Sequence, residues 1–388
     1  MTQFHLGYNE HELCELGAKH TAAEISGQPS LWLKTWQYLL EKKREIQSFL
    51  HTVPHDNLEI ILTGAGTSAF IGDVLKGTFQ KMTAIPTHAV STTDLVTHPD
   101  LYLLPNKPIL LISFARSGNS PESVEAFNVA NRICEPVYHL IITCNPDGEL
   151  VRNACGNNCQ VFLNPPEADD KGLAMTGSFT SMLLAGLLIS QIDQIESFEE
   201  QMHNLAEYGE HILTNYLGDL KKVAQLDFDR AVFLGSGPFR GIARESHLKL
   251  QELTDGKVIC KYDSFLGFRH GPKAVINPNT LIVYLFSNKD HVNKYEIDLV
   301  KAVNSGQRGK YCIGVMESEI NHIEIDLKII LSKNKHQISE ELLAICSVLP
   351  AQLIGMFKSI SLGLKPDEPS VSGTITRVVE GVHIYPYK

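Results

Sequence analysis

Residues 58–68 have the sequence Leu58-Glu59-Ile60-Ile61-Leu62-Thr63-Gly64-Ala65-Gly66-Thr67-Ser68, and this stretch decides the fold. The run 58–62 is almost wholly apolar, as in a buried strand. The residues Gly64 to Ser68 predict a tight loop that leads into a helix over 69–82. The same order of strand, Gly/Ser loop and helix returns at residues 231–252. Strands that alternate with helices at this spacing predict an α/β fold with doubly wound parallel sheets.

The rest of the chain continues this alternation. Further strands are predicted at 87–91, 108–113, 138–143, 160–163, 258–262, 280–286, 311–315 and 327–331, and helices at 122–133, 178–191, 291–304 and 340–362. Two such units suggest an internal duplication, and 388 residues exceed what one core of ordinary size holds. We therefore expect five parts: a helical N-terminal arm (1–50), a first α/β domain (51–195), a helical linker (196–225), a second α/β domain (226–365) and a C-terminal tail (366–388).

The composition argues against several classes of protein. A net charge of −10 and a pI near 5.9 disfavour nucleic acid as a partner, because phosphate backbones require a basic surface. The N-terminus, Met1-Thr2-Gln3-Phe4-His5, lacks the basic and apolar regions of a signal peptide. The longest apolar stretch, Met182 to Ile192, is too short to span a bilayer. The 8 cysteines are scattered without a CxxC, so we expect reduced thiols in the cytoplasm rather than a metal site or a disulfide framework.

Two loops at predicted strand ends carry hydroxyl groups suited to a small anion. One is Gly64–Ser68 and the other is Arg116-Ser117-Gly118-Asn119-Ser120; the hydroxyls are those of Thr67, Ser68, Ser117 and Ser120. Gly66 and Gly118 let backbone N–H groups approach a ligand, and each loop precedes a helix whose N-terminal partial charge favours phosphate. Ligands of open parallel sheets bind at the carboxyl ends of the strands, so a phosphate cradle is predicted here. The alternative is that both loops are only turns and helix caps.

Dinucleotide binding is a rival interpretation of the first loop. Residues 64–69 fit the pattern G-x-G-x-x-A. That pattern is completed by an acidic residue at the end of the next strand, and residues 87–91, Thr-His-Ala-Val-Ser, contain none. The hydroxyls of Thr67 and Ser68 are also unusual for such a loop. A P-loop is excluded because the chain has no GxxxxGK[ST] sequence.

A second candidate site lies on the helix that follows residues 231–237. At about 100° per residue, Glu245, Lys249 and Glu252 fall on one helical face, which we expect to line a cleft. The apolar residues of the same helix, Ile242, Leu250 and Leu253, fall on another face. His270 follows in a short loop, and carboxylates with an imidazole are suited to moving protons on a sugar. The alternative is an exposed helix with an i,i+4 ion pair, which stabilises by only a few tenths of a kcal/mol.

The second half does not repeat the second Ser/Gly loop of the first half. At the corresponding place it has Ser287-Asn288-Lys289-Asp290-His291, which contains no glycine. We infer that the two halves have divided the work. The first half is expected to hold the anion, and the second to supply acid and base.

With these motifs the chain resembles the sugar isomerase (SIS) family over nearly its whole length. Residues 64–68 and 113–120 resemble the two phosphate loops of the family, and residues 233–237, 245–252 and 270–272 resemble its second unit. Glu24-Ile25-Ser26-Gly27-Gln28-Pro29 is similar to the start of the isomerase half of glucosamine-6-phosphate synthase. Three segments resemble the AgaS branch more specifically, which is described as tagatose-6-phosphate ketose/aldose isomerase or galactosamine-6-phosphate deaminase: Ser91–Val96, Ala174–Thr180 and Arg377–Val382. The resemblance implies two tandem SIS domains with flavodoxin-like sheets.

The resemblance also implies a role for each matching residue. Glu252 would shuttle the proton between C1 and C2, and His270, which a neighbouring subunit can supply, would assist ring opening. Glu245 and Lys249 would orient the open-chain sugar. The residues implied to bind the sugar phosphate are Gly66, Thr67, Ser68, Arg116, Ser117, Gly118, Asn119, Ser120 and Thr176.

Two positions depart from the synthase pattern. Ala115 stands where the synthase has a serine, and Arg116 beside it could compensate with a bidentate contact to phosphate. Thr374 stands where the synthase tail has the lysine that forms a Schiff base with the ketose. Residue 2 is threonine rather than the N-terminal cysteine of a glutaminase domain, and the first SIS unit begins near residue 55. We therefore expect ammonia to be released rather than incorporated.

These observations predict a cytoplasmic isomerase and deaminase of phosphorylated amino sugars. The expected reaction converts galactosamine 6-phosphate into tagatose 6-phosphate and ammonia, without a metal or other cofactor. The expected partners are the phosphorylated hexose or hexosamine and a second copy of the chain, in a homodimer or a dimer of dimers, with no nucleic acid or membrane. Two alternatives stay open: isomerisation of tagatose 6-phosphate without deamination, and a non-catalytic sugar-phosphate sensor.

Overall fold

The computed structural model describes residues 4–332, 338–379 and 381–387. Met1–Gln3 of the N-terminal segment discussed above, and Glu380 of the tail segment 377–382, lie outside the described residues. The described chain begins with a short hairpin, β1 (Phe4–His5) and β2 (Tyr8–Asn9), followed by α1 (Glu10–Glu15) and the long helix α2 (Lys19–Leu50). Contacts between residues group the chain into two compact units, which are described separately below.

The β3–β7 unit comprises the described residues of 30–169, 177–200 and 376–388. After the second part of α2, its elements are β3 (Glu59–Thr63), α3 (Thr67–Thr83), β4 (Thr87–Ala89), α4 (Thr92–Thr97), β5 (Ile109–Ala115), α5 (Pro121–Ile133), β6 (Val137–Thr143), α6 (Glu149–Asn153), β7 (Cys159–Leu163) and α7 (Gly177–Ile189). The five strands are parallel and lie in the order β4-β3-β5-β6-β7. Every residue of the central strand β5 is buried, as expected for a strand covered on both faces.

The β8–β12 unit comprises the described residues of 1–29, 170–176 and 201–375. Its further elements, apart from α8, which begins two residues before residue 201, are α8 (Glu199–Asn215), α9 (Leu217–Gln225), β8 (Arg230–Gly235), α10 (Pro238–Leu253), β9 (Ile259–Asp263), α11 (Phe265–Phe268), β10 (Thr280–Leu285), α12 (Asp290–Asn304), β11 (Tyr311–Met316), β12 (Leu327–Ile330), α13 (Glu340–Cys346) and α14 (Leu349–Ser361). The strands are again parallel, in the order β12-β11-β10-β8-β9. Read from the other edge, this is the strand order of the first sheet.

The prediction of two doubly wound parallel sheets is confirmed. One predicted element is wrong in detail: the single helix over 340–362 is two helices, α13 and α14. The break has a local cause, because Pro350 has no N–H to donate to the carbonyl of Cys346 and lies in the first turn of α14. The five domain boundaries given above stay a prediction.

One stretch of the described residues, Glu340–Ser361, is long and apolar enough to cross a membrane by composition alone. It has 22 residues and a mean hydropathy of 1.6, so Met182 to Ile192 is not the longest apolar stretch, as the sequence had suggested. However, 94% of its apolar window is buried inside the protein. Its apolarity is explained by packing, since α14 lies against α9 and α10.

Candidate functional site

The first predicted phosphate loop connects β3 to α3 and depends on two glycines. Gly66 has φ 54° and ψ −128°, a conformation that residues with a side chain rarely adopt. A Cβ at Gly64 would lie 2.6 Å from the carbonyl carbon of Ser68. The glycines therefore let the chain turn sharply into α3. Thr67 and Ser68 form its first turn, both nearly buried.

The second predicted loop, Arg116–Ser120, connects β5 to α5. Because β3 and β5 are neighbouring parallel strands, with Thr63 opposite Ser113, both loops leave the same edge of the sheet from adjacent strands. The second loop is held by its surroundings: the Ser117 carbonyl accepts a hydrogen bond of 2.7 Å from the Asn145 side chain, and Asn119 Oδ1 accepts one of 2.9 Å from the Glu149 N–H. Sequence reasoning missed Asn145, which follows the next strand, β6.

The structure thus brings together seven of the nine predicted phosphate and sugar ligands, with Arg116 beside them. Gly118 has φ 66°, and Ser120 is the N-cap of α5, with its hydroxyl donating to Ser123 at 2.6 Å. Two helix N-termini and several hydroxyls at one sheet edge are suited to a phosphate dianion. The residues are Gly66, Thr67, Ser68, Ser117, Gly118, Asn119 and Ser120.

Arg116 is buried and engages the C-terminal tail. Its guanidinium donates a hydrogen bond to the main-chain carbonyl of Arg377, and the Arg377 side chain forms an ion pair with Asp169 at 2.9 Å. The predicted contact of Arg116 with phosphate stays a prediction. Sequence reasoning missed Arg377 and Asp169, although Arg377 is in a segment that resembles the AgaS branch.

The candidate acid–base residues lie on α10, in the β8–β12 unit. Lys249 Nζ is 2.6 Å from Glu252 Oε2 and 3.4 Å from Glu245 Oε1, so the three charges form one cluster. Burial alone would lower the pKa of Lys249. The charges of Glu245 and Glu252 outweigh this effect and raise the pKa above its usual value, so Lys249 is a cation.

The cluster is less open than the sequence predicted. Glu245 is 0% exposed and Lys249 1%, whereas 24% of the Glu252 side chain is exposed. The cause is packing on both sides of α10, which lies on β8 and β9 and is covered by α14. The closeness of α14 is seen at Gly355, where a Cβ would lie 3.4 Å from the Lys249 carbonyl oxygen. The alternative of an exposed helix with a surface ion pair is therefore excluded, and Glu252 is the most accessible member of the cluster.

His270 lies in the same unit, in an exposed loop between α11 and a short 3₁₀ helix, Pro272–Val275. Its N–H donates to the Gly267 carbonyl at 3.0 Å, and Gly271 follows with φ 107°. The imidazole is thus presented at the surface of the described chain.

Thr176 lies apart from the two phosphate loops, in the strap 170–176, which belongs to the β8–β12 unit. It is fully buried, its N–H donates to Asp170 at 2.8 Å, and its hydroxyl donates to the same carboxylate at 3.3 Å. The role of Thr176 in substrate binding stays a prediction. Sequence reasoning missed Asp170, whose signal was its place just before the segment Ala174–Thr180.

Glu24 from α2 fixes the other side of the strap. Its Oε1 accepts hydrogen bonds from the N–H groups of Lys171 and Gly172, the latter at 3.2 Å. Burial, and then the negative charge of Asp170, raise the pKa of Glu24 to about 8. The segment Glu24–Pro29 therefore has a structural role in holding the strap.

Comparison with known proteins decides the family. A sequence model of the SIS domain matches residues 55–190, which include both phosphate loops. D-galactosamine-6-phosphate deaminase AgaS of Shewanella sp. (strain ANA-3) is 38% identical over 381 residues, covering 97% of this chain and 94% of that protein. The chain belongs to the AgaS branch of the SIS family.

Two solved structures agree with this assignment. A SIS-family structure from Clostridium novyi NT has a TM-score of 0.96 and 41% identity, with full coverage of both chains. The tagatose-6-phosphate ketose/aldose isomerase of Escherichia coli has a TM-score of 0.86 and 38% identity, covering 95% of this SIS protein and 96% of that chain. Among the residues that the structure describes, no group of three His, Cys, Asp or Glu side chains is placed to hold a metal ion.

Proposed function

We propose that the protein is a sugar-phosphate isomerase and deaminase that converts galactosamine 6-phosphate into tagatose 6-phosphate and ammonia. The proposal is supported by the printed activity of the Shewanella relative, with which it shares nearly its whole length. The observation that carries the chemistry is Glu252, a partly exposed carboxylate paired at 2.6 Å with a buried ammonium. Such a carboxylate can act as a general base while its partner keeps it oriented.

The proposed reaction begins with ring opening, assisted by His270. Glu252 then removes the C2 proton of the open-chain aldose, giving an enolamine, and returns a proton to C1. The product is an imine at C2, and addition of water to this imine releases ammonia and leaves the C2 ketone. Atoms balance, because galactosamine 6-phosphate plus one water gives tagatose 6-phosphate plus ammonia.

The phosphate would be held by the cradle of the β3–β7 unit, formed by the loops 64–68 and 116–120. Its N–H groups and hydroxyls lie at the starts of α3 and α5, where a dianion is stabilised by both helices. The cradle contacts no reacting atom, so its loss is expected to weaken binding more than turnover of bound substrate.

A Schiff base between the enzyme and the ketose is not part of the proposal. Thr374 stands at the position implied for that lysine. Lys249 is a poor substitute, because its raised pKa keeps it a cation between two carboxylates, and an ammonium has no lone pair for attack on a carbonyl. We assign Lys249, together with Glu245, the role of fixing Glu252.

The test is the variant Glu252→Gln, which keeps the size of the side chain but cannot accept a proton. We expect unchanged binding of inorganic phosphate and a loss of turnover of at least about 10²-fold, the usual contribution of a general base. The matched control is Glu207→Gln, at an exposed position of α8. Turnover by Glu252→Gln at the rate of the wild type would contradict the role of Glu252.

The substrate is tested by measuring ammonia release from galactosamine 6-phosphate, glucosamine 6-phosphate and N-acetylgalactosamine 6-phosphate. We expect release from the first alone. The Escherichia coli structure carries the name of an isomerase, so interconversion of tagatose 6-phosphate with its aldose is the second candidate. It would replace the first if no amino sugar released ammonia and tagatose 6-phosphate were isomerised.

We further propose that the enzyme acts in the cytoplasm as a homodimer or a dimer of dimers. Support for a shared assembly comes from the exposed position of His270, which a second chain could approach. Size measurement in solution, by sedimentation, tests this part of the proposal.

A further inference from the structure

The turn after β8 has the same backbone geometry as the turn of the phosphate cradle. Gly237 has φ 56° and ψ −127°, against 54° and −128° for Gly66. A Cβ at Gly235 would lie 2.5 Å from the carbonyl carbon of Phe239, as one at Gly64 would lie 2.6 Å from that of Ser68. The turn of the cradle therefore recurs, one residue for another, in the β8–β12 unit.

The residues that would bind phosphate are changed in this second turn. Pro238 stands at the position of Thr67, so a hydroxyl and a backbone N–H are both missing. Phe239 stands at the position of Ser68 and is fully buried. Ser236, at the position of Ala65, is the one hydroxyl within the turn. The second turn keeps the shape of a cradle but has lost donors for an anion.

Glu296 of α12 lies at the place where an anion would bind. Its Oε2 accepts a hydrogen bond of 3.1 Å from the N–H of Ser287, and its carboxyl also interacts with the Ser236 side chain. Ser236 follows β8 and Ser287 follows β10, which are adjacent strands, just as β3 and β5 are. The chain leaves this point in opposite directions, to β9 and to β11, so it is the switch point of the sheet, where ligands of such folds bind.

The carboxyl of Glu296 is enclosed by the protein. The residue is 0% exposed, and within the described chain its Oε1 accepts no hydrogen bond. Burial raises the pKa of Glu296 to about 8, and the negative charge of Glu340 adds to this effect, while the hydrogen bond from Ser287 opposes it. A buried carboxyl is costly, and the mechanism proposed above makes no use of it.

We propose that the side chain of Glu296 replaces the phosphate group in the second cradle, so that each chain binds a single sugar phosphate, in the β3–β7 unit. The surroundings are unfavourable to a second anion. A cleft of about 470 Å³ beside Ser287 is lined by the acidic residues Asp290, Glu317 and Glu319, with one lysine, Lys294. The free-anion site of one unit has become an internal hydrogen-bonding partner in the other.

The experiment removes the carboxyl and offers it back in solution. Glu296→Ala deletes about the volume of one acetate, so acetate is the probe, with chloride at equal ionic strength as the reference salt. We expect Glu296→Ala to lower the unfolding temperature by a few degrees, and acetate to restore part of that loss. The isosteric Glu296→Gln and the exposed-face control Asp298→Ala should show no specific response to acetate.

Two results would overturn the proposal. One is an acetate response of Glu296→Ala no larger than that of Asp298→Ala. The other is calorimetric titration of the wild type with inorganic phosphate that gives two bound phosphates per chain instead of one. The titration uses the unaltered protein, so it decides the matter even if Glu296→Ala fails to fold. Neither measurement depends on turnover, so a failure of the proposed reaction would be seen separately.

Discussion

Lys249 is the residue whose environment most constrains the chemistry. Its ammonium is buried and is shared by Glu245 and Glu252 at 3.4 and 2.6 Å. Removing one partner of a buried ion pair leaves uncompensated charge, which is strongly destabilising, whereas removing two opposite charges together is not. The residue therefore couples the stability of α10 to the position of the proposed base.

We predict that Lys249→Met abolishes turnover and lowers the free energy of unfolding by about 3–5 kcal/mol, the cost of an unpaired buried charge. The double variant Glu245→Gln/Lys249→Met should regain part of this stability, since it buries one charge fewer, without regaining activity. Urea unfolding and ammonia release measure the two effects. A single variant as stable as the wild type would contradict the buried cluster.

Glu24 predicts a dependence of stability on pH. Its folded pKa of about 8 lies above the usual 4.5, so the fold favours the protonated carboxyl. This contribution is fully present below the unfolded pKa and is lost as the pH rises through the folded pKa, so between pH 4.5 and 8 the free energy of unfolding should fall. Asp170 and Asp367, the carboxylates that face Glu24, act in the same direction.

The variant Glu24→Gln stays neutral and should flatten this slope by up to about 1.4 kcal/mol per pH unit, the value for one proton. Some slope will remain, because the raised pKa of Glu296 has the same sign. The control is Glu15→Gln, at an exposed position of α1. Identical slopes for the wild type and Glu24→Gln, measured by urea unfolding across this range, would show that Glu24 is ionised in the fold.

At the scale of elements, the turn between β3 and α3 decides whether the cradle exists. Gly66→Ala forces a side chain into a conformation at φ 54° that costs about 1–3 kcal/mol, and should weaken binding of inorganic phosphate. Gly77→Ala is the matched control in the same α3 helix: it is exposed, and a Cβ there meets no atom within 4 Å.

Gly77→Ala should raise the free energy of unfolding by about 0.5–1 kcal/mol, because alanine loses less backbone entropy in a helix. Its phosphate affinity should equal that of the wild type. Chemical unfolding and calorimetric titration separate the two variants. Equal phosphate binding by Gly66→Ala would mean that the turn has no part in the cradle.

At the scale of the whole molecule, the open question is which chain supplies His270 to a given site. We predict that His270→Ala and Glu252→Gln are each inactive and that mixing the two, after dissociation and reassembly, restores activity. In randomly formed dimers half are mixed, and a mixed dimer has one intact site of two, which gives about a quarter of wild-type turnover. No recovery in a verified mixed dimer would place His270 and Glu252 of one chain in one site.

Much of the fold and of the cradle was predictable because both depend on local sequence. Strands β3 and β5 are apolar runs bounded by loops, and the Gly66 turn follows from a glycine between β3 and α3, so a short window contains the information. The break before α14 was missed because its apolar pattern continues without interruption across Pro350. The periodicity of α10 put Glu245, Lys249 and Glu252 on one face, which the structure confirms.

What the sequence by itself determined is therefore the set of elements, their parallel arrangement, the turn geometry at Gly66 and the family. Only the tertiary structure decided the burial of Lys249, the engagement of Arg116 by the tail, the grip of Glu24 on the strap and the place of Glu296 at the second switch point. The physical reason is the range of the interactions. Turns and periodicity arise between residues a few positions apart, whereas burial and charge pairing depend on elements that the chain brings together from distant positions.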